Sequence, residues 1–140
     1  MDTTEKGIFI NGKQQIIEML QFMENDDKQK LLENIKQRNA PMAKELSEKS
    51  LSFKDLFRLS SGHIRTIFEK SNPAIIGLAL YPLTVSLQKK ALQSLSREVA
   101  EQAFNVMRQD LSHKKIECQR AQEKIVRLAI QLSRHNSVQL

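Results

Sequence analysis

The chain has one cysteine, Cys118, among its 140 residues, so no internal disulfide can form and the cytoplasm is the expected compartment. Four glycines, three prolines and 5% aromatics leave few turn formers and few strand formers, which favours helices. The longest apolar stretch, Ala74 to Leu83, spans ten residues and contains Gly77, Tyr81 and Pro82, too short and too interrupted to cross a bilayer as a helix. The opening Met1-Asp2-Thr3-Thr4-Glu5-Lys6 lacks the basic head and apolar run of a secretory signal.

What is present describes a small soluble protein of one domain or two small helical lobes. Lys and Arg number 22 against 16 Asp and Glu, a formal excess of +6. That excess permits attraction to nucleic acid, to an anionic membrane surface or to an acidic protein. The basic residues are scattered, however, with no run longer than a pair such as Lys114-Lys115. No aromatics are interleaved with them for base stacking, which argues against nucleic acid.

Apolar residues recur at three- and four-residue spacing almost throughout, so the fold class is all-α. After a flexible N-terminus over residues 1–10, Asn11 can cap a helix from Gly12 to about Glu24, with Ile16, Ile17, Leu20 and Met23 on one stripe. Asp26 or Asp27 opens the next helix, whose stripe is Leu31, Leu32 and Ile35 and whose end falls near Asn39, since Pro41 suits the first turn of a third helix bearing Met42 and Leu46. The pattern breaks at Ser50-Leu51-Ser52, where a boundary separates a first lobe, 11–50, from a second, 51–135. Ser52 can cap a short helix with Phe53, Leu56 and Phe57, and Ser60 or Ser61 the helix of Ile64, Ile67 and Phe68. Asn72-Pro73 opens a short apolar helix closed by Tyr81-Pro82. Thr84 opens a helix with Val85, Leu87, Ala91 and Leu92, and Ser96 one with Val99, Ala103 and Met107. Ser112-His113-Lys114-Lys115 reads as a turn, although without Gly or Pro a single helix from Arg97 to about Arg134 stays open. Beyond it Cys118, Ala121, Ile125, Leu128, Ala129 and Leu132 form a stripe, and 136–140 reads as a tail.

No catalytic set emerges. His63, His113 and His135 are far apart and form no metal-ligand spacing with Cys118, which itself falls on an apolar stripe and reads as a small core residue. Gly7, Gly12, Gly62 and Gly77 are isolated, so no phosphate cradle is signalled. Asp26 and Asp27 read as charges at a helix start, and Met19, Met23, Met42 and Met107 as core fillers. Neither a cofactor nor an enzymatic activity is expected, and a protein interaction module is the natural class.

Gly12 to Leu20 and Lys30-Leu31-Leu32-Glu33-Asn34-Ile35 resemble the armadillo-type helices that begin the C-terminal half of FliG, the flagellar motor switch protein family. Lys44-Glu45-Leu46 followed by Phe53-Lys54-Asp55-Leu56 resembles the family's junction, where a Met-Phe-X-Phe segment precedes Glu-Asp-Leu or Glu-Asp-Ile. Ile64-Arg65-Thr66-Ile67-Phe68, Gly77-Leu78-Ala79-Leu80 and the run from Ala121 to Ala129 resemble its torque domain. The similarity is collinear from about Gly7 to Arg134. It implies armadillo-like hairpins followed by a compact helical bundle. The implied protein is a non-enzymatic rotor component or accessory paralogue, cytoplasmic and peripheral at the basal body, with FliG-like and FliM-like rotor proteins and the stator protein MotA as partners. Self-association into a homo-oligomer also fits a ring component.

Ungapped, the family's charged torque positions fall on Tyr81, Glu98, Asn105, Val106 and Lys114, where Lys, Arg, two acids and Arg stand in the family. Only Lys114 keeps its sign. The rearranged stator-facing set implied here is Arg97, Glu98, Glu101, Asn105, Arg108 and Lys114. The implied hinge is Ser50, Leu51, Ser52 and Phe53, with two exposed serines expected to loosen it or cap the next helix. The family's Gly-Pro breaker falls on Leu111-Ser112, and its N-terminal and middle domains have no counterpart here, which reads as a standalone relative. A different class, a basic helical adaptor for nucleic acid or an anionic membrane, would reveal itself by retention that falls steeply with salt.

Overall fold

The computed structural model describes the backbone over residues 2–135 and side chains over 12–24 and 26–135; the tail expected at 136–140 lies outside the described residues. The described residues contain helices and no strand, as the apolar spacing requires. The chain divides into two compact units, residues 1–51 and 52–140.

The first unit holds α1 (Asp2–Phe22), α2 (Asn25–Arg38) and α3 (Ala40–Lys49), with α3 packed on both others. The first helix begins ten residues earlier than the Asn11 cap predicts. Interior glycine weakens a helix by about 1 kcal/mol relative to alanine without stopping it, so Gly7 and Gly12 are passed over. The second helix also starts earlier, at Asn25, which places Asp26 and Asp27 in its first turn, facing the positive end of the helix dipole. Asn39 ends α2 and caps α3: its Oδ1 accepts the Met42 N–H at 3.1 Å, and Pro41 sits in the first turn, where no amide hydrogen is needed.

Ile17, Leu20, Leu32 and Leu46 form this unit's core, with Ile16, Met23, Leu31, Ile35 and Met42 packed against it. Met19 is not a core filler: it lies at the edge of that stripe and is 49% exposed. Two lysines converge on Glu45, with Lys13 Nζ at 2.7 Å and Lys49 Nζ at 2.8 Å from Oε1. The hydrogen bonds from Lys13 and Lys49 hold the Glu45 carboxyl down to about 2, from an ordinary 4.5.

The second unit comprises a 3-10 segment (Phe53–Arg58), α4 (Ser61–Phe68), α5 (Pro73–Leu80), α6 (Val85–Ser94), α7 (Arg97–Met107) and α8 (Lys115–Arg134). The short helix α5, Pro-Ala-Ile-Ile-Gly-Leu-Ala-Leu, is apolar nearly all round, and a helix of that kind belongs in an interior. Its Ile76, Gly77, Ala79 and Leu80 are buried, and α7 and α8 both pack against it. Gly77 sets the approach of α7, because a Cβ there would lie 2.6 Å from the Val106 Cβ and 2.7 Å from the Ala103 carbonyl oxygen. Phe53, Phe57 and Phe68 form a ring cluster with centroids 5.5 to 6.1 Å apart.

Capping chemistry places most of the boundaries. Ser60 Oγ accepts from His63 N, Asn72 Oδ1 from Ala74 N, and Thr84 Oγ1 from Leu87 N. The expected core position Val85 is 63% exposed: it follows directly on the cap, before the stripe of Leu87 and Ala91 turns inward. The long helix from Arg97 to Arg134 does not form. Asp110 Oδ1 instead accepts from both the Ser112 N–H (3.1 Å) and its hydroxyl (2.6 Å), and buried Leu111 anchors the turn between α7 and α8.

Gly77→Ala is expected to force α5 and α7 apart and lower stability by about 1–3 kcal/mol, read as a fall in the denaturant midpoint. The depressed Glu45 carboxyl contributes stability that is complete above about pH 4.5 and lost as pH falls towards 2. An NMR titration should therefore place its midpoint far below that of the other glutamates, and Lys13→Ala should raise it.

Candidate functional site

The outer face of α7 follows from its inner one. Ala103 is buried and Val99, Ala100, Val106 and Met107 are half-buried, which turns Arg97, Glu98, Glu101, Gln102, Phe104, Asn105 and Arg108 to solvent. Arg97, Glu101, Phe104 and Arg108 make one row at helical spacing, and Glu98, Gln102 and Asn105 a second beside it. Arg97 Nε meets Glu101 Oε1 at 3.0 Å, with both side chains largely in solvent. Such a pair contributes about 0–1 kcal/mol, so a partner displaces it at little cost. Glu98 sits in the first turn, where its charge suits the helix dipole.

Ser96 was expected to cap this helix with its hydroxyl, but its side chain makes no cap bond. The helix start is tied instead to the end of α4: Glu69 Oε1 accepts the Ser96 N–H at 3.1 Å while Oε2 holds Arg65 at 3.3 Å. The Ser96 amide, followed by Arg65, keeps the Glu69 carboxyl below its ordinary range.

At the other end of α7, Arg108 closes the helix and Lys114 precedes the first residue of α8, both exposed. The two Ser112 bonds hold the Asp110 carboxyl low and keep it charged in the turn between them. The structure therefore carries Arg97, Glu98, Glu101, Asn105 and Arg108 on one exposed helix, and Lys114 beyond the following turn. Val106 and Tyr81 depart from that face. Val106 packs against Gly77, and Tyr81 is the half-buried end of α5, whose carbonyl accepts Gln88 Nε2 at 3.2 Å. Phe104 was not singled out from the sequence, yet it is 49% exposed in the middle of the charged row. Its signal was available, since position 104 lies off the stripe of Val99, Ala103 and Met107.

The four junction residues differ in character. Ser50 is fully buried rather than exposed: its carbonyl accepts Lys28 Nζ at 2.9 Å, and its N–H donates to the Leu46 carbonyl. Leu51 and Ser52 are half-buried, and Phe53 lies in the ring cluster. The Ser52 N–H donates to Asp55 Oδ2 at 2.9 Å, which fixes the start of the 3-10 segment. The physical reason for the buried serine is the Lys28 stem, which carries its ammonium to the last turn of α3, where free carbonyls concentrate.

Among the described residues no group of three or more His, Cys, Asp or Glu side chains is placed to hold a metal ion. Cys118 is 2% exposed, and burial pushes its thiol up, away from a reactive thiolate. An open cleft of about 440 Å³ beside α2 is lined by Leu31, Asn34, Ile35, Gln37 and Arg38, without a nucleophile and base pair. No helix among the described residues is long and apolar enough to cross a membrane.

Two crystallised fragments of FliG from H. pylori are similar in structure. The shorter has 23% identity and a TM-score of 0.65 over 89% of this chain and 55% of its own, and the longer 22% and 0.57 over 89% and 59%. Full-length FliG from Aquifex aeolicus is similar at 22% identity and a TM-score of 0.54, with 86% of this chain and 38% of that one covered. The chain thus spans under two thirds of each, and at this identity the likeness speaks for the fold. No curated protein sequence matches it significantly. The family model of the FliG C-terminal domain matches residues 33–140, well over half of the chain, and with the helical order described above it follows that the chain belongs to the FliG C-terminal domain family.

Proposed function

We propose that this chain is a non-enzymatic component of the flagellar rotor, or an accessory paralogue of one, that works by protein–protein contact at the cytoplasmic face of the basal body. The family match over residues 33–140 carries the reading. In it the first unit packs among FliG-like and FliM-like rotor proteins, and the exposed face of α7 meets the stator protein MotA. Arg97, Glu98, Glu101, Asn105, Arg108 and Lys114 are the contact residues, and residues 50–53 are the hinge.

The physics of the face supports that role. Contacts that must form and break as a rotor passes need weak, exposed charge pairs, each worth about 0–1 kcal/mol. Arg97 and Glu101 already neutralise one another, and Asn105 carries no charge. The charged set is sparser than the family pattern, which favours an accessory role over a full torque generator.

Pull-down from its flagellated source cell is expected to recover rotor or stator components, whereas recovery of none, together with wild-type motility after deletion, overturns the reading. Glu98→Arg with Asn105→Asp restores two family charges on solvent-facing positions. That pair should change swimming speed, at a cost in stability of about 1 kcal/mol or less from reversing the Glu98 charge in the first turn of α7. Val106→Asp, by contrast, pushes a carboxylate against α5 and should lower stability by about 1–3 kcal/mol.

A further inference from the structure

The last helix carries a second charged face that the motor reading does not use. Cys118, Ala121, Ile125 and Ala129 are buried along α8, and Arg120, Lys124 and Arg127 stand exposed on the opposite side. At 100° per residue these three cations fall within about 60° of arc and about 10 Å of helix length. None of them makes an ion pair or hydrogen bond among the described residues, whereas Arg65 and Arg97 are each paired to a glutamate four residues on. Exposed Ile116, at 63%, continues the same line one turn earlier. The helix holds five basic and two acidic residues, half of the chain's +6 excess.

The two acids decide what fits. Glu117 and Glu123 flank the cationic arc, one on each side, and both are exposed. A duplex nucleic acid or a lipid surface presents negative charge over a broad front and would meet both glutamates along with the cations. A partner helix with a narrow row of acids meets the ridge alone and can seat an apolar side chain on Ile116.

We infer that the Ile116, Arg120, Lys124 and Arg127 face of α8 is a docking ridge for an acidic helical segment of a partner protein. It is independent of the motor reading, because the purified chain suffices to test it. The probe is a synthetic helical peptide with glutamates at i, i+4 and i+7, titrated at low salt against the full chain, with duplex DNA and phosphatidylserine vesicles in parallel. The wild type should bind the peptide, and Arg120→Gln/Lys124→Gln/Arg127→Gln should weaken binding by about tenfold or more. Lys44→Gln/Lys54→Gln/Lys70→Gln removes the same charge from other exposed positions and should leave binding within about threefold. Circular dichroism of both triple variants verifies that the helices persist. Equal losses in the two variants, absence of peptide binding, or tighter binding of DNA or vesicles through the same three residues overturns the inference.

Discussion

The close approach of α5 and α7 organises the second unit, and it depends on a missing side chain. With only hydrogen at Gly77, the Val106 side chain and the Ala103 carbonyl reach the α5 backbone. That contact turns the apolar stripe of α7 inward and thereby decides which of its residues face water. The charged rows are thus a consequence of packing: the face presented to a partner is the complement of the face presented to a glycine. Valine suits position 106 in the same terms, since that position belongs to the contact and a carboxylate there would be pressed against α5.

Around this apolar centre, long polar side chains repeatedly satisfy backbone carbonyls that helix ends leave open. Gln88 Nε2 donates to the Leu80 and Tyr81 carbonyls, Gln122 Nε2 to that of Ala79, and Lys90 Nζ to that of Phe57. Lys28 does the same for Ser50 in the first unit. A buried carbonyl left without a partner costs about 1–3 kcal/mol, so short helices such as α5 need such donors from their neighbours. These ties join segments up to 43 residues apart, which gives the order of helices in sequence a physical hold on their order in space.

The elements written in local chemistry are the ones the sequence discloses. Asn39, Ser60, Asn72 and Thr84 lie beside the amides they cap, and the all-α fold with its family likeness follows from apolar spacing and segment order. Features set by distant partners stay hidden. Glu69 replaces the hydroxyl of Ser96 from 27 positions away, and Lys28 buries Ser50 from 22. The start of α1 was missed because an isolated asparagine and glycine look like a boundary but carry too little energy to impose one. In the candidate site, the exposure of Arg97, Glu98, Glu101, Phe104, Asn105 and Arg108 is readable from the apolar stripe of α7, whereas the inward place of Val106 depends on Gly77, 29 positions away.

The sealed position of Cys118 has a practical corollary. The native protein offers maleimide and nitroxide reagents no accessible thiol, so a cysteine placed on the surface becomes a unique attachment point without first removing the natural one. Pairs of such labels, one in each unit, turn the wild-type background itself into a ruler for the distance between residues 1–51 and 52–140.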